Sequence, residues 1–164
     1  MKQIGLLIVV VILMVAVGIA CIEPDTPIDL ADGVEPSGDF SVLFIAEDTD
    51  FKNEMIAEAT ASLKEAKGLV FLVPAKEIES IDDIGFDAVI VVWHMAAEKI
   101  PNKVIRYLER AANPDRVILY VTSGGSELSM DYGVDTVTAV SKTADSQDEA
   151  EKLVDLILTQ CGIE

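Results

Sequence analysis

The stretch Phe86-Asp87-Ala88-Val89-Ile90-Val91-Val92 holds an unbroken aliphatic run that continues to Trp93. A run this short, rich in β-branched residues and without polar alternation, reads as a strand covered on both faces, as in a parallel sheet. Val42–Ala46, Leu69–Val73 and Val117–Val121 repeat the pattern. Between and after these runs lie helical stripes: Phe51, Met55, Ala59 and Leu63; Val104, Leu108 and Ala111; Ala150, Leu153, Val154, Ile157, Leu158 and Cys161. Val134–Ser141 alternates apolar residues with Thr and Asp, as an edge strand with one wetter face does. Asp50 is expected to cap the first helix, Pro101 to occupy the first turn of the second, and Ser146 with Glu149 to form a capping box for the last.

The succession is β-α-β-β-α-β-β-α. Two connections, Pro74–Phe86 and Ser123–Gly133, are too short for full helices yet long enough for a parallel return. The expected fold is therefore an α/β, right-handed, doubly wound sheet of order 2-1-3-4-5. Its ligand crevice would lie at the carboxyl ends of strands one, three and four.

Upstream, Ile4–Ile22 is uncharged and mostly aliphatic, follows Lys2, and contains Cys21. About twenty apolar residues suffice to cross a bilayer core. Gly18-Ile19-Ala20-Cys21 resembles the lipobox of prokaryotic lipoproteins, which implies lipidation of Cys21; an uncleaved signal anchor is the alternative. Lys2 precedes the span and Glu23, Asp25, Asp29 and Asp32 follow it, so positive-inside logic places the rest outside the cytoplasm, at the cell membrane. Residues 1–22 are thus read as signal peptide or transmembrane anchor, and 23–39, acidic and rich in Pro and Gly, as linker. Residues 40–164 form the domain.

Twelve Lys and Arg against 29 Asp and Glu give a net charge of −17, which argues against nucleic acid or anionic lipid headgroups as partners. Two cysteines make no disulfide framework, and Cys161, at the end of an apolar helical stripe, reads as a packed residue.

Phe86–Val92 with the following Lys99–Arg110 looks like the third strand and next helix of flavodoxin-like proteins. Asp115-Arg116-Val117-Ile118-Leu119-Tyr120-Val121-Thr122-Ser123-Gly124-Gly125 resembles their fourth strand and flavin loop. The resemblance implies FMN as cofactor, electron transfer as activity, and a redox protein as partner. It places the flavin loop at Thr122, Ser123, Gly124 and Gly125 and the flavin-stacking position at Ala96; Trp93 and His94 at the ligand end of strand three, Thr49 at the start of the first helix and Tyr132 as a second aromatic wall complete the candidate cofactor site. Flavodoxins surround the FMN phosphate with a Ser/Thr/Gly-rich turn after strand one, whereas this chain has Ala46-Glu47-Asp48-Thr49-Asp50-Phe51. Two negative charges near a phosphate cost on the order of 1 kcal/mol each at a surface-like dielectric.

Trp93 and His94 are the chain's single tryptophan and single histidine. An indole there suits a planar ligand and an imidazole suits a proton, while packing against the sheet is the competing role for the indole. Glu47 and Asp48, with Thr122 and Lys142, also resemble the acidic pair, hydroxyl and lysine of response-regulator receivers, which implies a divalent cation on the two acids. The phosphoacceptor position falls in Val92-Trp93-His94 and lacks its aspartate. Asp135–Ser141 faintly resembles the sequence at which extracytoplasmic flavoproteins receive covalent FMN, with Ala139 and Val140 breaking its core. No G-x-S-x-G elbow, HExxH helix, P-loop or Cys/His spacing occurs, and no catalytic set is identified. The competing function is a ligand-binding or protein-interaction module on the same scaffold.

Overall fold

The computed structural model describes residues 38–95, 99–123, 132–140 and 145–163. In chain order these form β1 (Phe40–Ala46), α1 (Asp50–Glu65), β2 (Gly68–Pro74), β3 (Ala88–His94), α2 (Asn102–Arg110), β4 (Val117–Ser123), β5 (Asp135–Val140) and α3 (Ser146–Cys161). All strand pairings are parallel, and the order is β2-β1-β3-β4-β5, the flavodoxin-like arrangement. Each aliphatic run extends by a residue or two beyond its expected bounds. Ser141, the last residue expected in the fifth strand, lies outside the described residues, as do Cys21, Ala96, Gly124, Gly125, Lys142 and the whole Ile4–Ile22 span. Among the described residues no helix is long and apolar enough to cross a membrane.

The side-chain period of two divides the core into two layers. Val42, Phe44, Ala88, Ile90, Val92, Ile118 and Tyr120 pack with Met55, Ala59 and Leu63 of α1 and Leu153 and Ile157 of α3. Leu43, Ile45, Val89, Val91, Trp93, Leu119 and Val121 pack with Val104, Tyr107 and Leu108 of α2. β3 and β4, buried at nearly every position, are therefore covered on both faces, as their unbroken runs require. Full burial of each such aliphatic side chain is worth about 1.5–3 kcal/mol. Gly68 opens β2 because a Cβ there would meet the Phe40 ring at 2.5 Å. Lys67 just before it takes φ 64°, the left-handed turn that reverses the chain out of α1.

The helix-poor crossover from β2 to β3 contains a single 3-10 turn, Ala75–Glu77. It is held down by α2. Ala75 and Ile78 bury under it, Lys103 Nζ donates to the Ala75 carbonyl at 3.5 Å, and Arg110 donates to the carbonyls of Ile78 and Ile81 at 2.6 and 3.0 Å. Arg106 pairs with Glu79, whose carboxyl its hydrogen bond and charge hold below the usual carboxylate range. At the far end Asp83 accepts the Tyr107 hydroxyl at 2.9 Å and the Ala112 N–H at 3.3 Å. Burial and this bond to Asp83 push the Tyr107 phenol well above its ordinary value. Basic side chains of one helix thus replace the second helix that a longer crossover would supply.

The caps differ from expectation. Thr49, not Asp50, occupies the cap position of α1, with no side-chain cap bond, and Asp50 is the first helical residue. Pro101 precedes α2 at its cap position. Asp145 sits at the cap of α3 and Ser146 opens the helix, so the Ser146–Glu149 box does not form. Glu149 is drawn away by a stronger pair of donors: the Tyr120 hydroxyl at 2.6 Å and Lys152 at 2.7 Å. Burial opposes the charge on Glu149, yet those two bonds outweigh it and keep its pKa lowered. Tyr120, buried beneath α3 and bonded to that carboxylate, is shifted upward. Burial, with Asp87 nearby, likewise pushes the Cys161 thiol up to about 11, so it stays protonated and unreactive near neutrality.

Candidate functional site

β1, β3 and β4 end side by side, which is where a doubly wound sheet presents its crevice. Ala46 pairs with Val92, and His94 with Thr122. The Met95 N–H donates to the Thr122 carbonyl at 2.9 Å, and the Thr122 hydroxyl to the Trp93 carbonyl at 3.4 Å. Trp93, His94, Thr122 and Ser123 are therefore brought together by register.

They do not present themselves alike. His94 is exposed, whereas Thr122 and Ser123 are buried. The Trp93 indole is 3% exposed and belongs to the α2 layer, where Lys103 Nζ stands 4.6 Å from its ring centroid. That cation contact occupies ring surface a stacking ligand would use. Tyr132 is half-buried against the α2 layer too, and Thr49 is exposed at the start of α1.

The centre of the crevice is a charge pair. Glu47 follows β1, and its Oε2 accepts both the Lys52 ammonium at 2.6 Å and the His94 backbone N–H at 2.7 Å. Lys52 is 2% exposed, inside the first turn of α1. A buried ammonium persists only where a partner offsets its lost hydration, and Glu47 is that partner. Asp48 is held separately by the Asn53 amide at 2.8 Å. A divalent cation on Glu47 and Asp48 would have to sit beside the Lys52 ammonium. Among the described residues no cluster of three or more His, Cys, Asp or Glu is placed to hold a metal ion.

Lys52 escaped the sequence reading because charged residues in a first turn read as surface. Its spacing with Ile56, Ala59 and Leu63 was the available signal, since all four are buried on one helical face. Beside the pair, a depression of about 280 Å³ is lined by Ala46, Glu47, Asp48, Ala75, Lys76, Trp93 and Lys103 among others. It lies on the α2 side of β1, against the short crossover.

Charge in the turn after β1 opposes an FMN phosphate, although the first turn of α1 carries no side-chain cap bond. The turn after β1 supplies no free cation among the described residues, because Lys52 is neutralised by Glu47. At the end of β3 the His94 N–H already has the Glu47 carboxylate as its acceptor.

No protein-family profile matches the chain, and no curated protein matches it. Among solved structures it is similar to a flavodoxin from the domain Archaea (11% identity, 73% of this chain and 97% of that chain, TM-score 0.47). It is also similar to a flavodoxin of Streptococcus pneumoniae TIGR4 (13% identity, 73% and 97%, TM-score 0.48). The lysine decarboxylase LdcF of Francisella novicida aligns over 74% of this chain at 11% identity and TM-score 0.51, with only 17% of its own length covered. At such identities the likeness concerns the fold alone.

Proposed function

We propose that this chain is a membrane-tethered, extracytoplasmic binding or protein-interaction module built on a flavodoxin-like sheet. The observation that carries this reading is the Glu47 carboxylate, fixed between Lys52 and the His94 N–H at the head of the crevice. An anion built into the chain stands there in place of one brought by a ligand. FMN-dependent electron transfer is the second reading, favoured by the convergence of Trp93, His94 and Thr122 at adjacent strand ends. In that reading the flavin supplies the redox chemistry, and the chain holds its ring.

The single tryptophan separates the two. Titration of the full chain with FMN to high micromolar concentration is expected to leave Trp93 emission unchanged. A saturable quench with one flavin per chain would replace the module reading by the flavin reading.

The tether rests on Ile4–Ile22. The protein is expected in the membrane fraction of its host. A lipid adduct on Cys21 with residues 1–20 absent would identify a lipoprotein, and an unmodified full-length mass an uncleaved anchor. Recovery in the soluble fraction without a start near Cys21 would remove the tether from the proposal.

A further inference from the structure

β2 is an outer strand of the sheet, and among the described residues no strand pairs with its second edge. Outer strands ordinarily carry charges, bulges or internal prolines that block further pairing. Gly68-Leu69-Val70-Phe71-Leu72-Val73-Pro74 has no charge at all, in a chain of net charge −17, and its proline comes only at the end. It pairs residue for residue with β1, so it carries no bulge. Leu72 is 41% exposed, and Leu69, Val70, Phe71 and Val73 are half-buried.

We propose that the free edge of β2 is a homodimerisation surface, at which two copies pair antiparallel about a two-fold axis through Phe71. The strand is self-complementary about that residue. Leu69 would face Val73 of the second copy, Val70 would face Leu72, and Phe71 would face Phe71, so every cross-strand pair is apolar. The ends match as well. Asp39 and Lys67 form an exposed ion pair at the start of the strand, and exposed Lys76 and Glu77 follow its end. A two-fold axis therefore sets the Asp39–Lys67 end near Lys76 and Glu77, so that both signs meet both signs rather than acid meeting acid. The chain's own linker is a poor occupant, because residues 23–37 carry three prolines and five acids with no apolar alternation.

Sedimentation of the full chain in detergent is expected to give twice the chain mass. Leu72→Lys, which places a charge on an exposed position opposite an apolar residue, is expected to give a monomer with an unchanged circular dichroism spectrum. In the parent, amide exchange over Leu69–Val73 is expected to slow as protein concentration rises. A parent that stays monomeric at high micromolar concentration, a dimer that Leu72→Lys leaves intact, or exchange independent of concentration would each overturn the proposal. The second result would also locate the contact elsewhere, in the membrane segment or another face.

Discussion

Glu47→Ala is expected to destabilise the domain by about 3 kcal/mol, because it leaves the Lys52 ammonium buried without a counter-charge. Glu47 is 29% exposed, so water reaches one side of the pair, which places the cost at the lower end for a broken buried ion pair. The double variant Glu47→Ala with Lys52→Met removes the orphan charge while keeping a chain of similar length. It is expected to recover most of the loss. Urea unfolding of the parent, the single variant and the double variant measures both steps. A single variant as stable as the parent would mean that Lys52 finds hydration or another partner, and the carboxylate would lose its structural role.

Asp83→Ala is expected to cost about 1–3 kcal/mol, because it strands the buried Tyr107 hydroxyl, while the N–H of exposed Ala112 can turn to water. Tyr107→Phe removes one partner and leaves the carboxylate its amide donor, so a smaller loss of about 1 kcal/mol is expected. The clasp joins the crossover to α2, so the damage should concentrate there. Amide exchange in Ile78–Phe86 should accelerate more than in β3 or β4. Uniform acceleration through the sheet would show that the clasp supports global stability and not the crossover.

The sheet was legible because strands buried on both faces leave continuous aliphatic runs, and β3 and β4 are that kind of strand. Their order followed as the economical right-handed arrangement of connections long enough for a parallel return. The crevice was legible only as a place. Trp93, His94 and Thr122 could be assigned to strand ends, but the Lys103 ammonium that lies over the indole comes from α2, and nothing in the local sequence joins those two residues. The Glu47–Lys52 pair was half visible. The acids of the turn are plain in the sequence, and their effect on a phosphate follows from charge. The burial of Lys52 is a tertiary fact, as is the donation by a His94 N–H that lies 47 residues from Glu47. The caps were misassigned for a similar reason. Glu149 fits a capping box by spacing, and only the fold shows the Tyr120 phenol that claims it.

Calorimetric titration of Glu47→Gln with FMN and with riboflavin, beside the parent, tests most directly whether Glu47 acts as the resident anion of the crevice. Glutamine keeps an acceptor for the His94 N–H while releasing the charge of Lys52. The parent is expected to show no preference for FMN over riboflavin. The variant is expected to bind FMN more tightly than riboflavin, with an advantage that shrinks as salt is added. A parent that already prefers FMN, or a variant indistinguishable from it, would contradict the account.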